Sequence, residues 1–387
     1  MERVYITCGC RTPIGKLDGG LAEYSVVELA RMVLSESVRK SKLKKKDIEH
    51  VIVGCALQTG SGSNIARQAA LTAGFPFSTT GETINIVCGS GMEAINLAAR
   101  MIQSGTLNIV VAVGAESMSN VPYYTYDNTR IENVRNLIED DALVDPIGKY
   151  PMGITAERIA KEWHITREEA DKFAYNSHRK AGIAVKNGFL NNEIMPIFSK
   201  GKGSNIIVDE GIRFNPSLNE LKKLKPVFQE NGVLTAGNSC SINDGAAAVI
   251  LLSERAIKEY KIIPDAEWIG GSLVGIDPEI MGIASVYSTK KIMNELGLKV
   301  EDIDIVEINE AFSTQVIAVQ KELNINTKKL NIYGGAIALG HPLGMSGCRI
   351  VVSLLNSLKQ TSGGIGLATI CIGGGLGASV VVRRVSH

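Results

Sequence analysis

The sequence predicts an α/β protein: a layered sheet with helices packed on its faces, duplicated as two similar halves about a pseudo-dyad, with a loop-rich helical domain inserted between them. Three observations lead there. Strand and helix periodicities alternate over the first 117 residues, loops and charged helices follow from Met118, and the last third repeats short stretches of the first in the same order. The division expected is a first core half over 1–117 plus 243–265, an insert over 118–242, and a second core half over 266–387. A chain of 387 residues exceeds what one hydrophobic core usually supports, which agrees with several units.

Taken in order, Val4 to Cys8 reads as a strand, and Ser25-Val26-Val27-Glu28 is a capping box opening a helix through Leu29, Ala30, Val33 and Leu34. Ile48 to Val53 is the next strand. A helix is expected after Asn64, carrying Ala66, Ala69, Ala70 and Ala73 before Gly74. A β-type run from Thr83 to Val87 then breaks at Cys88-Gly89-Ser90-Gly91, beyond which Ile95, Ala98, Ala99 and Ile102 recur at helical spacing up to Ser104-Gly105. Asn108 to Val113 closes the series as a strand. In the insert, Thr166-Arg167-Glu168-Glu169 is a second capping box, and Ala170, Phe173, Ala174, Ala181 and Ala184 stripe a helix ending near Gly188. Asn243 to Leu252 returns to buried strand.

The repeat rests on three matches. Asp47–Gly54 resembles Asp302–Asn309, Asn85–Gly89 resembles Asn331–Gly335, and Val111–Gly114 resembles Thr369–Gly373. Halves packed about a dyad bring equivalent loops together, which would gather Cys88, Asn309, His341 and Cys371. Thr361 to Val382 is uncharged and long enough to span a bilayer, but seven glycines interrupt it. It reads as two buried strands, Ile365–Ile372 and Leu376–Val382, joined by Gly373-Gly374-Gly375.

Composition excludes several classes. With 41 basic and 40 acidic residues and a net charge of +1, neither nucleic acid nor an anionic membrane is an expected partner. The 7 cysteines include no C-x-x-C pair and the 5 histidines are scattered, so neither a disulfide framework nor a metal site is expected. A reducing, cytoplasmic setting follows, and neither end carries a leader or anchor pattern.

Cys88 sits at a helix start, where unpaired N–H groups and the helix dipole favour a thiolate over the ordinary thiol pKa of about 8.5. The plain alternative is a small buried hydrophobe. His341, between Gly340 and Pro342, is held off a helix face and suits general acid–base work more than packing.

Cys88-Gly89-Ser90-Gly91, Asn309-Glu310-Ala311-Phe312, the run Gly334 to Gly344 and Cys371 to Gly377 resemble the four active-site motifs of the thiolases. The similarity runs through the whole chain, including Met152–Glu157 and Thr235–Asn238. The resemblance implies a duplicated, layered αβαβα thiolase core and acetyl-CoA C-acetyltransferase chemistry. In that chemistry two acetyl-CoA condense to acetoacetyl-CoA and CoA, or the reverse thiolysis runs, through an acetyl-Cys88 intermediate. It further implies that His341 serves as base for Cys88, and Cys371 as base for the α-carbon or for the CoA thiol. One oxyanion site would come from His341 and a water held by Asn309, the other from the N–H groups of Cys88 and Gly373. Substrate contacts are implied for Met152, Lys225, Ala236, Ser239, Cys240, Met281, Ala311 and Phe312. No metal or other cofactor is implied, only coenzyme A thioesters as substrates.

The departures from the family pattern lie along the acyl tunnel: Pro151 before Met152, Ser239-Cys240-Ser241 after Asn238, Ala284-Ser285 after Met281-Gly282, and Lys225 where arginine is usual. They leave open a 3-ketoacyl-CoA thiolase of broader chain length in fatty-acid degradation. A β-ketoacyl synthase relative would replace Cys371 by histidine. A cysteine hydrolase would not need a second buried cysteine, and a non-catalytic acyl-CoA carrier would not need Cys88 or His341. By resemblance the chain forms a homo-oligomer, a tetramer or a dimer, in lipid metabolism.

Overall fold

Two strands meet at the centre of the fold, Val4–Arg11 and Ala266–Gly275, paired antiparallel over Val4, Tyr5 and Ile6. In this computed structural model, which describes residues 2–125, 134–199, 201 and 203–385, they join one 10-stranded sheet. Outward from Val4–Arg11 come Asn243–Ser253 and Ile109–Ser117, each antiparallel to the last, then His50–Gly54 and Thr80–Ile84, each parallel. Outward from Ala266–Gly275 come Leu376–Arg384 and Ile365–Ile372, antiparallel, then Ile305–Ile308 and a single bridge to Leu330, both parallel. Order and sense are the same in both directions. The three sequence matches fall on equivalent strands or on the loops that follow them, so the duplication is structural.

Alternation along the strands assigns the layers. Val110, Ala112, Val249 and Leu251 of the first half face inward, as do Ala368, Ile370, Val380 and Val382 of the second. Between them lie the helices Ser90–Gln103 and Leu343–Thr361, whose Ile95, Ala98 and Ile102 pack with Ile350, Val351 and Leu354. Val51, Val53, Val111, Val113 and Ile250 face the other way, onto the outer helices Val26–Lys40 and Ile65–Thr72. Ala284–Leu296 and Ser313–Glu322 cover the second half in the same manner. The result is the five-layered αβαβα arrangement.

Glycine sets the spacing of the inner layer. A Cβ on Gly91 would stand 2.5 Å from the Gly344 carbonyl oxygen, and one on Gly114 would meet the same oxygen at 2.5 Å. Any side chain there would push the two inner helices apart or off the sheet.

Both capping boxes form, with Ser25 accepting from Glu28 N–H and Thr166 from Glu169 N–H, and Asn64 caps Ile65–Thr72. The run expected as strand to Val87 is strand only over Thr80–Ile84 and ends in a tight turn, Val87–Gly89. Ile365–Ile372 and Leu376–Arg384 form the hairpin read from sequence. Among the described residues no helix is long and apolar enough to cross a membrane. Between the strands ending at Ser117 and starting at Asn243 lie two short hairpins and the helices Met152–Glu162 and Arg167–Lys186.

Candidate active site

The strand-to-helix turn that presents Cys88 is strained. Val87 has φ +53, a left-handed conformation that costs a β-branched residue about 1–3 kcal/mol. Its neighbours hold it there. Val87 N–H donates to Asn85 Oδ1 at 2.8 Å, Ser90 Oγ donates to Val87 O at 2.7 Å, and Ile86 N–H donates to Ser90 Oγ at 3.0 Å. The turn leaves Cys88 half-buried in front of the helix Ser90–Gln103.

The glycine loop after Cys371 packs against the Cys88 turn: a Cβ on Gly373 would stand 3.7 Å from Val87 Cγ1 and one on Gly89 would stand 2.2 Å from Ile372 Cδ1. The electrostatics differ from the sequence expectation of an easily formed thiolate. Burial pushes the Cys88 thiol up to about 12 against the opposing pull of the Gly373 and Cys88 backbone N–H dipoles, and the Glu116 carboxylate adds to the rise. Desolvation outweighs the helix start, so the resting nucleophile is a thiol and needs a base.

His341 is the buried base candidate. It precedes the helix Leu343–Thr361, whose first residue follows Pro342, and its N–H donates to Asn243 Oδ1 at 2.9 Å. Ser346 Oγ donates to Pro342 O at 2.8 Å, so at 2.6 Å from His341 Nδ1 it must accept. That contact puts the imidazole proton on Nδ1 and leaves Nε2 with a lone pair. Asn309 Nδ2 approaches Nε2 at 3.5 Å. Burial, with the positive Arg349 nearby, lowers His341 to about 3, so the ring is neutral at physiological pH.

Cys371 ends the strand Ile365–Ile372 and is buried against Met281, Ala311 and Phe312, with Met152, Phe228 and Leu234 on the same apolar wall. Phe228 and Phe312 meet edge to face at 5.8 Å. Cys240 N–H donates to Ala311 O at 3.0 Å, and Ser239 forms a β-bridge with Phe312. Burial is the main cause that raises both thiols, Cys240 to about 12 and Cys371 as well, and a thiolate at Cys88 would add to both rises. Met152 Cε would lie 2.9 Å from a Cβ on Gly373, which places the methionine over the donor loop.

The structure therefore packs the Gly373 loop against the Cys88 turn, pairs Asn309 with His341, and packs Cys371, Met152, Met281, Ala311 and Phe312 into one apolar cluster, with Ser239 and Cys240 beside Phe312 and Ala311. Lys225 and Ala236 stand apart. Both are exposed, Lys225 beside a surface groove shared with Phe228 and Asn231.

Sequence reasoning missed the supporting shell. Glu116, fully buried, accepts N–H groups from Ala56 at 3.0 Å, Leu57 at 3.0 Å and Gly344 at 2.8 Å, tying the start of the His341 helix to the first half. Glu310 accepts from Ser177 Oγ at 2.7 Å, Asn331 Nδ2 at 2.8 Å and Ile337 N–H at 3.2 Å, and so fixes the loop that leads to His341. Glu116 was detectable as a lone acid ending an apolar strand. Ser346 was detectable only by its helical spacing from Pro342.

Comparison with known proteins agrees with this geometry. Family descriptions match over residues 4–255 ("Thiolase, N-terminal domain") and 263–384 ("Thiolase, C-terminal domain"). An acetyl-CoA acetyltransferase of Chromobacterium violaceum is 43% identical over 389 residues, covering 98% of this chain and 99% of that protein. The crystal structure of the Bacillus anthracis acetyl-CoA acetyltransferase matches with a TM-score of 0.96 at 39% identity, over 100% of this chain and 99% of that one. Human mitochondrial 3-ketoacyl-CoA thiolase in complex with CoA matches with a TM-score of 0.96 at 35% identity, over 99% and 98%. The chain belongs to the thiolase family.

Proposed function

We propose that the protein is an acetyl-CoA C-acetyltransferase, passing an acetyl group through Cys88 between CoA thioesters. The observation that carries this reading is the packing of the glycine loop that follows Cys371 against the turn that presents Cys88, where a Cβ on Gly373 would stand 3.7 Å from Val87 Cγ1 and one on Gly89 2.2 Å from Ile372 Cδ1. Relatives named acetyl-CoA acetyltransferase, and a neighbour that holds CoA, support the substrate class.

The roles follow from the chemistry. Cys88 sulfur attacks the acetyl-CoA carbonyl as its proton passes to His341 Nε2, and the Cys88 and Gly373 N–H groups receive the oxyanion. Collapse expels CoA thiolate, which takes the Cys371 proton and leaves acetyl-Cys88, an imidazolium and a Cys371 thiolate. That thiolate removes an α-proton from a second acetyl-CoA, whose enolate oxygen is met by His341 and a water held by Asn309. Carbon attack on acetyl-Cys88 then releases acetoacetyl-CoA. Cys88 takes its proton back from His341, and every group is restored. No step calls for a metal or redox cofactor; CoA thioesters are the only small molecules required.

Met152, Met281, Ala311, Phe312, Ser239 and Cys240 would line the acyl and pantetheine path, with Lys225 and Ala236 at its mouth. The insert over 118–242 would supply CoA and oligomer contacts between core halves at 1–117 plus 243–265 and 266–387. We assign the protein to cytoplasmic lipid metabolism, as a homotetramer or dimer. Steady-state thiolysis of acetoacetyl-CoA beside longer 3-ketoacyl-CoA, on wild type and Cys88→Ala, tests the function. Selective cleavage of acetoacetyl-CoA, lost in the variant, supports it. Comparable rates on longer chains would favour the 3-ketoacyl-CoA thiolase reading, for which the structural neighbour of that name gives a reason. A light-scattering mass near 41.5 kDa would refute any oligomer.

A further inference from the structure

Among the described residues two arginines are fully buried, and they differ in how their donors are used. Arg11 is saturated: Nε donates to Glu193 at 2.7 Å, Nη1 to Asp209 at 2.6 Å and Thr12 O at 3.1 Å, and Nη2 to Asp209 at 2.9 Å. Arg349, on the helix behind His341, is not. Its Nη1 stands 3.7 Å from Glu307 Oε2 without a hydrogen bond, and neither Nε, Nη1 nor either Glu307 oxygen has a hydrogen-bond partner among the described residues. Its one directional contact among the described residues is Nη2 to Asn309 Oδ1 at 3.5 Å.

We propose that Arg349 is a positioning residue for the reaction: it fixes which end of the Asn309 amide faces His341. A guanidinium can only donate, so the Asn309 atom turned toward it must be the oxygen. The amide nitrogen is thereby aimed at His341 Nε2, where it stands at 3.5 Å. A flipped amide would set its oxygen against the lone pair of the base and turn an acceptor toward the place where enolate charge develops. Both contacts are long, as is usual in unliganded sites whose hydrogen bonds tighten when substrate arrives. Asn309 itself has few other anchors. Its backbone N–H donates to Thr369 O at 3.0 Å, which holds the main chain but not the amide plane. Arg349 reaches the chemistry through Asn309, and this inference rests on the role given to Asn309 above.

The test is a double-mutant cycle on the full-length enzyme, with acetoacetyl-CoA thiolysis as the assay. Arg349→Met, which keeps bulk and removes every donor, is expected to lower kcat by about 100-fold, the scale of a misplaced catalytic group. KM for acetoacetyl-CoA should change by less than about twofold, because the contact matters after binding. Arg349→Lys keeps a donor-only group and should recover kcat to within about tenfold of wild type. In an Asn309→Ala background, Arg349→Met should cost less than about threefold, since the group it orients is gone. A folded Arg349→Met enzyme with wild-type kcat overturns the proposal. So does the same large loss in both backgrounds, which is what a purely structural arginine would give. If Arg349→Met does not fold, the pair Arg349→Met with Glu307→Gln leaves no buried carboxylate without its cation and is measured in the same cycle. Wild-type kcat in Asn309→Ala alone would refute the role of Asn309 and this inference with it. Absence of thiolase activity in the wild type would instead refute the proposed function.

Discussion

Ser346→Ala isolates the orientation of the base. The hydroxyl accepts the His341 Nδ1 proton at 2.6 Å and donates to Pro342 O at 2.8 Å. Alanine removes both bonds, but Pro342 O still accepts the backbone N–H of residue 346 at 3.0 Å, so only the imidazole N–H is orphaned. Leaving a buried donor unsatisfied costs about 1–3 kcal/mol. When His341 takes the Cys88 proton the ring becomes a cation, and a hydrogen bond from a charged donor is roughly twice as strong. The loss therefore falls on the charged state formed during reaction and should appear in kcat rather than KM. A loss of about 2–3 kcal/mol there is roughly a 30- to 150-fold decrease. Steady-state thiolysis gives kcat and KM, and the rate of Cys88 alkylation by iodoacetamide reports independently on proton removal from the thiol. Wild-type kcat and alkylation rate in a folded Ser346→Ala enzyme would refute the argument that this hydroxyl holds the tautomer.

Met152→Ala removes a side chain that overhangs the Gly373 loop and should raise the preference for longer 3-ketoacyl chains, by about 1–3 kcal/mol or roughly 5- to 150-fold in the ratio of kcat/KM values. An unchanged ratio would mean that Met152 does not border the acyl group. Gly91→Ala places a Cβ 2.5 Å from Gly344 O at the crossing of the inner helices, and should destabilise the fold by about 1–3 kcal/mol, read as a lower urea midpoint at constant m. His178 is buried, accepts the Arg213 N–H at 3.2 Å, and is lowered by burial to about 4. The unfolded chain then binds a proton below pH 6.5 that the folded protein refuses, so this residue costs stability as pH falls toward 4. Between pH 6.5 and 5 the stability of the wild type relative to His178→Gln should fall by about 2 kcal/mol, measured by urea unfolding at each pH. A pH-independent difference would contradict the shift.

How much was legible in the sequence follows the physics of each signal. The buried strands and striped helices were readable because periodicity is local, and the duplication because its three matches share an order. Cys88, His341, Asn309 and Cys371 were singled out as motif residues, Cys88 beside Gly89 and His341 between Gly340 and Pro342. The state of Cys88 was misjudged because a helix start is visible in sequence, whereas the apolar residues packed around it, Leu57, Met118, Ile138 and Leu343 among them, come from distant parts of the chain. The end of the strand before it was misplaced by the left-handed turn at Val87, a position where propensity alone forbids the observed φ. Ser346, Glu116 and Arg349 act through contacts with distant elements, and only their oddness among apolar neighbours marked them.

The strand order places the two contributions to the site on opposite sides of the Tyr5 seam. Cys88 follows a strand of the first half, whereas Asn309, His341, Cys371 and Gly373 all follow strands or loops of the second. During synthesis the segment bearing Cys88 emerges long before the loop that donates Gly373 N–H and the histidine that takes its proton. On the chemistry proposed here, a nascent or half-folded chain meets acyl thioesters with a thiol that lacks both its base and the Gly373 N–H. Reactivity toward those thioesters switches on only when the last two strands pair, so the fold itself delays the chemistry until the molecule is complete.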